Sequence, residues 1–491
     1  MKISDNLRSF IDILEEEKEL RRISAEVDWN LEIGAITRRL VDTRGPAPLF
    51  ENIKGYPAGY RILGLPFGPS SPLHARLSLS LGMERDTRPK EIIEEVQSRL
   101  QRNIKPKIVS HTPCKENIAR GDEVNVLNFP APYIHSVDGG RYIGTWCIVV
   151  TKDRENGWQN WGVYRVMVQN EKVVSINYEI NARQHGGDIF EREESQHREE
   201  SSASPIAIVL GAGPISLLAA AMSPPAGVNE SGVASSLLGA PLELVKCETV
   251  DLEVPASSEI VIEGEVPLGK RMPEGPMGEF SGYTAGGKMD LPYVDVKCIT
   301  WRDDPVITLA NMGKPWDDCA TVYTVTYSAW IRKILQERGL PVKDVYVWPV
   351  YGTVISVKNE HEPRIAEKII QTLKEAKCRT GLVYTFIVNG DIDVTSLEDV
   401  FWCLTTRCHP KNGIHVEQRK GGSPLIPYRT PEEREQNYSF TGYFDCTWPK
   451  DWSEEYLGEH CRVVDFENAW PLEMREKVLA RWKEYGLESN R

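Results

Sequence analysis

Residues 142–178 read YIGTWCIVVTKDRENGWQNWGVYRVMVQNEKVVSINY. Three runs within it, 142–151, 161–168 and 172–178, are rich in Val, Ile and aromatic residues and are separated by Asp, Asn and Gly. β-Branched and aromatic side chains fit a pleated, half-buried surface, and Asn, Asp and Gly supply the turns between. The stretch predicts successive strands with no helix between them. Runs at 206–210, 260–266 and 294–301 have the same texture. Many strands with few long helices predict an antiparallel barrel or folded sheet over residues 116–316.

The flanks read differently. Leu7, Phe10, Ile11 and Leu14 recur at helical spacing, predicting an amphipathic helix over 5–22. Short mixed elements follow, punctuated by GLPFGPSSP at 64–72, and a second helix pattern covers 89–102. Together they make an N-terminal α/β segment, 1–115, expected to pack on the sheet domain. A long helix over 317–338 opens on Asp317 and Asp318 and stops at Gly339, giving a connector at 317–340. Beyond it a β-α-β-α pattern fills a C-terminal α/β domain, 341–465: strand-rich 345–357, a helix over 363–377, a strand at 382–388, and a helix whose capping box is Thr395 and Glu398. The last element, a helix over 471–485 within a docking segment 466–491, carries Val478, Leu479, Trp482 and Tyr485 on one side. That stripe must dock, either on its own subunit or on a partner. The fold class is α+β.

The chain has 491 residues, with Lys+Arg 58 against Asp+Glu 71 and a formal charge of −13. Nucleic-acid binding calls for a basic patch, which this balance disfavours. No run reaches about 18 consecutive apolar residues, so no transmembrane helix is expected. The N-terminus, MKISDNLRSFIDILEEEKEL, lacks a signal-peptide apolar region. Ten scattered cysteines without a CxxC read as reduced thiols. The expected compartment is the cytoplasm.

Four groups of residues bear on chemistry. The string PIAIVLGAGPISLLAAAM, 205–222, imitates a dinucleotide-binding turn, but Ser216 stands where the third glycine belongs and Pro214 sits inside the turn. A tight strand-to-helix turn explains it better than a nicotinamide-dependent dehydrogenase does. Next, PEGPMGEFSGY at 273–283 holds Glu274 and Glu279 in a loop that its glycines and prolines bar from regular structure. Two carboxylates in such a loop can divide acid and base roles, or can simply be solvated. Third, Arg165 sits inside the strand-like run NWGVYRVMV, 160–168. A buried arginine needs a carboxylate, and Glu274 and Glu279 are candidates; an outward-facing strand arginine needs none. A straight strand would put Asn160 and Arg165 on opposite faces, so a shared site requires a bend or an edge. Last, Asn160, His185 and Glu230 are hard ligands without any local metal motif. Together they suit Mn²⁺ or Mg²⁺, and singly each reads as an ordinary polar group.

The strings NWGVYRVMV, QH, GVNE, EGPMGEFSGY, NGDIDV, TTRCHP and PLIPY occur in this order, after VDWNLEIGAITRR and APLFENIKGYP near the N-terminus. In combination they resemble the UbiD family of prenylated-flavin-dependent decarboxylases, particularly its ferulic acid decarboxylase-like branch, over nearly the whole chain. The resemblance implies a flavin-reductase-like split β-barrel for 116–316 and an oligomerisation role for the C-terminal α/β domain, as a homodimer or a hexamer built as a trimer of dimers. It implies prenylated FMN, supplied by a flavin prenyltransferase, together with Mn²⁺ (or Mg²⁺) and K⁺. Arg165, Glu274 and Glu279 match the family's catalytic network, with Glu279 as proton donor. Asn160, His185 and Glu230 match ligands of the divalent ion that grips the cofactor phosphate. Trp161, Gly162, Val163, Tyr164, Arg165 and Gln184 match cofactor contacts, as does Thr145, and Lys377 falls at a phosphate-binding lysine. Carbonyls around Trp161, Ala219, Ala220 and Met222 match the K⁺ site. The implied reaction is reversible, non-oxidative decarboxylation of an acrylic acid such as cinnamate, a heteroaromatic acid such as pyrrole-2-carboxylate, or a benzoic acid. The rival reading is a catalytically silent flavin-binding or assembly protein of the same fold.

Overall fold

The computed structural model describes residues 3, 5–178, 185–197, 202–284, 287–350, 352–358, 364–376, 382–423, 425–449 and 451–487. Its centre is a sheet whose strands lie in the order Tyr142–Gly144, Val166–Asn170, Val173–Ile176, Tyr293–Trp301, Ile260–Pro267, Ala203–Leu210, Ile148–Lys152 and Gln159–Gly162, with Asn117–Arg120 also beside Tyr293–Trp301. All neighbours are antiparallel. The run read as one strand from 161 to 168 is broken at residues 163–165. Its first part pairs at one edge of the sheet and its second part next to the opposite edge.

That break explains the curvature. Four Cα–Cα steps from Gly162 to Val166 reach roughly 14 Å at most. The two edges therefore approach one another and the sheet curls into a barrel with an open seam. None of the sheets closes on itself.

A four-stranded sheet packs beside it, in the order Leu20–Ile23, Ala47–Phe50, Arg61–Gly64 and Val306–Leu309. The last strand comes from the end of the central segment and joins the N-terminal strands in parallel. The first helix is Leu7–Glu16, capped by Asn6, whose side chain accepts from the amides of Arg8 and Ser9. It ends well before residue 22 because Lys18 takes a left-handed backbone, φ 61°, and turns the chain into strand Leu20–Ile23. Helix Pro89–Arg99 lies against the long helix Asp318–Glu337 through Gln97, which donates to Gln336 at 2.8 Å and accepts from Arg332 at 2.6 Å.

Helix Asp318–Glu337 belongs to two cores. Cys319, Val322, Val325 and Ala329 pack into the large one, while Ile331 and Leu335 pack into the C-terminal one. The C-terminal domain is a sheet in the order Val342–Trp348, Gly352–Val357, Tyr384–Asn389, Tyr438–Cys446 and Ile414–Lys420. Helix Ile365–Glu375 makes the crossover between the first two of its three parallel strands, Gly352–Val357 and Tyr384–Asn389, the third being Tyr438–Cys446. The next helix, Leu397–Arg407, is capped by Ser396 rather than Thr395. Asp393 Oδ1 takes both the amide and the hydroxyl of Thr395, at 3.1 and 2.9 Å, so the capping role passes to the next hydroxyl.

Past Cys446 no described residue is buried. The final helix, Leu472–Ala480, exposes Leu472, Met474 and Leu479 and does not dock on its own subunit. All nine described cysteines are free thiols. Among the described residues no helix is long and apolar enough to cross a membrane.

The turn at 211–213 is structural. Strand Ala203–Leu210 is antiparallel to both neighbours, so there is no βαβ unit. The N-terminus of helix Pro214–Ala221 is taken by Asp5, which accepts from Ser216 N at 2.8 Å and Ser216 Oγ at 2.6 Å. A pyrophosphate would meet that carboxylate.

Candidate active site

The break at 163–165 delivers Arg165 to the seam, on the near side of strand Val166–Asn170. Glu274 ends the short strand Met272–Glu274, which pairs with Met289–Leu291. Gly275 and Gly282 take φ of 81° and 87°, backbone that glycine adopts at little cost, and the loop between them returns the chain so that Glu279 N–H meets Tyr283 O at 3.0 Å.

The loop brings three charges together. Arg165 Nε donates to Glu274 Oε1 at 2.9 Å and Nη2 to Oε2 at 2.6 Å, a two-pronged pair. Arg165 Nη1 donates to Glu279 Oε1. Tyr142 OH donates to Glu274 Oε1 at 2.8 Å. The relative exposures are 6% for Arg165, 0% for Glu274 and 5% for Glu279, so the network lies out of water. Burial raises the Glu279 pKa, against the pull of Arg165 and with the help of the Glu274 charge. Burial lowers the pKa of Arg165, but its two carboxylates outweigh that and leave it raised. Tyr142 is raised by burial first and by Glu274 next, so it stays a donor. Nothing in the spacing of YIGT pointed to Tyr142; only the fold brings it to Glu274.

A cavity of about 930 Å³ opens beside this network. Its wall passes through Tyr164 and Phe280, the chain neighbours of Arg165 and Glu279. One side is the sheet edge, with Asn160, Trp161 and Gly162 and then Val163 in the break, together with His185, Ala220 and Glu230 from three helices packed beside it. The other side comes from the long helix, with Tyr323 and Tyr327, and from the C-terminal domain, with Leu382 and Thr385. Ligand pockets run to roughly 1,000 Å³, so this one has the size of a full ligand site.

The sheet side is polar and incompletely satisfied. Glu230, first residue of helix Glu230–Leu238, is fully buried. Its Oε2 accepts from Trp161 N at 2.9 Å. Its Oε1 has no partner among the described residues, nor does the amide nitrogen of Asn160. Burial pushes Glu230 up to about 8. A buried carboxylate oxygen without a donor is costly unless a cation meets it. His185 Nε2 lies 2.8 Å from Pro224 O, so Nε2 carries the proton and Nδ1 is left with a lone pair. An amide, an imidazole and a carboxylate fit a divalent ion beside a phosphate. Among the described residues no group of three or more His, Cys, Asp or Glu forms a metal cluster, and this set holds only two such residues.

The other expected positions fall as follows. The carbonyls of Ala219, Ala220 and Met222 end helix Pro214–Ala221, the negative end of its dipole, and Ala219 O accepts Met222 N–H at 3.2 Å. Tyr164 OH accepts Gly186 N–H at 3.2 Å, which fixes the start of the helix bearing His185. Gly162 has no room for a side chain, since a Cβ would lie 2.3 Å from the Tyr164 ring. Thr145 is buried, does not line the cavity, and accepts Ala310 N–H at 3.0 Å. Gln184 and Lys377 lie outside the described residues.

Comparison with known proteins gives a consistent answer. Three models of 3-octaprenyl-4-hydroxybenzoate carboxy-lyase match: the N-terminal domain at residues 11–96, the Rift-related domain at 107–315 and the C-terminal domain at 320–442. The chain is 32% identical to pyrrole-2-carboxylic acid decarboxylase of Pseudomonas aeruginosa, over 98% of each chain. It is 29% identical to ferulic acid decarboxylase 1 of Saccharomyces cerevisiae, again over 98% of each. Among solved structures, the closed form of vanillic acid decarboxylase from Sedimentibacter hydroxybenzoicus superposes with a TM-score of 0.85 at 28% identity, covering 99% of this chain and 100% of that one. The UbiD-class enzyme HmfF from Pelotomaculum thermopropionicum, in complex with prFMN, gives 0.76 at 26% identity, covering 92% and 96%.

Proposed function

Because the chain belongs to the UbiD family and is a decarboxylase, we propose that Arg165, Glu274 and Glu279 serve a non-oxidative, reversible decarboxylation carried out on prenylated FMN. The substrate is an aromatic, heteroaromatic or α,β-unsaturated carboxylic acid. The observation that carries the reading is the buried Glu274–Arg165–Glu279 network beside a cavity of flavin size.

Loss of CO₂ from an unsaturated carbon leaves an electron pair that no side chain can accept, and prenylated FMN supplies that sink when bound. Arg165 orients a carboxylate and screens Glu274 from Glu279. Two of its N–H groups go to Glu274 and one to Glu279, which leaves two of its five donors for a ligand. Glu279 bonds Arg165 through Oε1, so its Oε2 is the atom that carries and delivers the proton to carbon. Its raised pKa keeps it an acid nearer neutral pH, as a proton donor requires. Trp161 and Tyr164 on one side and Tyr323 and Tyr327 on the other give the cavity aromatic surface against which a planar ligand can lie.

Asn160, His185 and Glu230 would hold Mn²⁺ or Mg²⁺ against the cofactor phosphate. The carbonyls of Trp161, Ala219, Ala220 and Met222 would take K⁺. Gln184 and Lys377 complete the cofactor contacts in this reading, whereas Thr145, which lies off the cavity with its hydroxyl on Ala310 N–H, supports the wall from behind. The protein works in the cytoplasm, receives its flavin from a prenyltransferase, and assembles as a homodimer or as a hexamer of three dimers. Support for assembly comes from Leu397, Phe401 and Trp402 on one exposed helix and from the undocked helix Leu472–Ala480.

The test is Glu279→Gln. The expected result is loss of CO₂ release by a factor of about 10³ or more, with the flavin spectrum unchanged. Decarboxylation at the wild-type rate by the variant overturns the assigned role.

A further inference from the structure

Residues 131–140 run between helix Glu32–Asp42 and the loop that carries Glu279, and the reaction above makes no use of them. They grip that loop closely. Gly139 N–H donates to Pro276 O at 2.7 Å, and a Cβ on Gly139 would fall 2.0 Å from Gly275 O. Asp138 Oδ1 accepts the amide of Gly278, the residue before Glu279, at 3.0 Å. A Cβ on Gly278 would lie 2.8 Å from His135 Nδ1, so the imidazole occupies the space the glycine leaves.

The charge on that imidazole follows from its partners. Both Asp138 oxygens lie 3.2 Å from His135 Nδ1, and Oδ2 also takes His135 N–H at 2.9 Å. On the far side, His135 Nε2 lies 3.0 Å from Asn311 Oδ1. Asn311 is fully buried and its Nδ2 donates to Gly34 O at 2.6 Å, so the amide cannot turn over without setting oxygen against oxygen. Carboxylate and amide oxygens only accept. Each ring nitrogen therefore faces an acceptor and must carry a proton. A neutral ring has only one.

We infer that His135 is held as an imidazolium and, paired with Asp138, positions the loop that presents Glu279. Both are positioning residues, and their part in the chemistry rests on the proton-donor role proposed for Glu279. The groups facing the ring are Asp138 on its own loop, Asn311 after strand Val306–Leu309, Arg38 on helix Glu32–Asp42, and the neutral amide of Gly278. Burial and Arg38 pull the ring down, while Asp138 and Asn311 outweigh them and leave its pKa above the ordinary value. The pairing also limits the Asp138 charge, which otherwise raises Glu279 further. When the ring loses a proton, one nitrogen sets a lone pair against an acceptor. That contact turns repulsive and the grip on the loop weakens.

The test uses flavin-loaded protein with ¹³Cε1-labelled histidine, titrated by NMR, the His135 signal being assigned from its loss in His135→Gln. The expected titration lies above the ordinary histidine value of about 6.5. Asp138→Asn lowers it, since an amide presents one acceptor to two backbone N–H groups and no charge to the ring. In the same variant kcat falls about tenfold while KM changes less than about twofold, and the alkaline limb of the kcat profile moves to lower pH. A His135 titration at or below the ordinary value overturns the inference, and so does an Asp138→Asn enzyme with unchanged kcat and pH profile. The titration decides the charge on His135 whether or not CO₂ is released, so its result is independent of the functional reading.

Discussion

The charged network beside the cavity and the polar part of the cavity wall, the two ends of the site, are built on opposite plans. At one end every charge is matched: Arg165 spans Glu274 and Glu279, and Tyr142 adds a fourth partner. At the other end Glu230 Oε1 and the Asn160 amide nitrogen are buried with no partner among the described residues. The first end is complete as protein alone. The second offers a bound cation an unmatched carboxylate oxygen, and among the described residues no cationic side chain reaches it. Under the proposed function, the contrast separates the residues assigned to proton transfer from those assigned to the cofactor.

Arg165→Met breaks the contrast most severely. It leaves two carboxylates buried without their cation, a loss expected to cost about 3–5 kcal/mol, and CO₂ release should vanish. A denaturant melt and a CO₂ assay read both. Wild-type stability in this variant would mean that the network is hydrated.

The unmatched end predicts a pH dependence of stability. Glu230 has a folded pKa of about 8, raised from 4.5 by burial. The metal-free protein should be most stable, in this respect, below the unfolded value and should lose stability as pH rises from 4.5 towards 8. Glu230→Gln should abolish that slope. Mn²⁺ should raise the melting temperature of the wild type at pH 8 and leave the variant unmoved, which differential scanning fluorimetry can read.

The mildest probe is Tyr142→Phe. It removes one hydrogen bond from a carboxylate that keeps two others, at an expected cost of about 1–2 kcal/mol and a drop in kcat of a few-fold. A Tyr142→Phe enzyme as damaged as Arg165→Met would show that the hydroxyl, rather than the guanidinium, orders Glu274.

Much of this was legible in the sequence, but unevenly. Periodicity located the strands of the central sheet and the long helix, because both depend on side-chain patterns that repeat locally. The glycine-rich loop and Arg165 were visible as an anomaly of composition. Their pairing was legible as a candidate, from the need of a buried arginine for a carboxylate and from the resemblance, but the device that achieves it, a three-residue break in a run otherwise ideal for a strand, was legible only as a required bend or edge. The first helix was read too long because its apolar stripe fades gradually while one left-handed residue, Lys18, ends it abruptly. The cap at Thr395 was misplaced by one residue because Asp393 competes for its hydroxyl. Tyr142, Asp138 and His135 were missed altogether. Each acts on a loop more than a hundred residues away, and no local spacing encodes that.

The short link 163–165 ties the opposite margins of the curled sheet and carries the guanidinium at its end. The curl of the sheet and the position of Arg165 are thus set by the same three residues. The facing wall comes from the long helix and the C-terminal domain, whose buried residues are shared between the large core and a second, smaller one. The network and that wall are therefore supplied by different stretches of chain. New substrate ranges can then be sought by exchanging helix Asp318–Glu337 and the domain behind it between relatives, with the sheet left untouched.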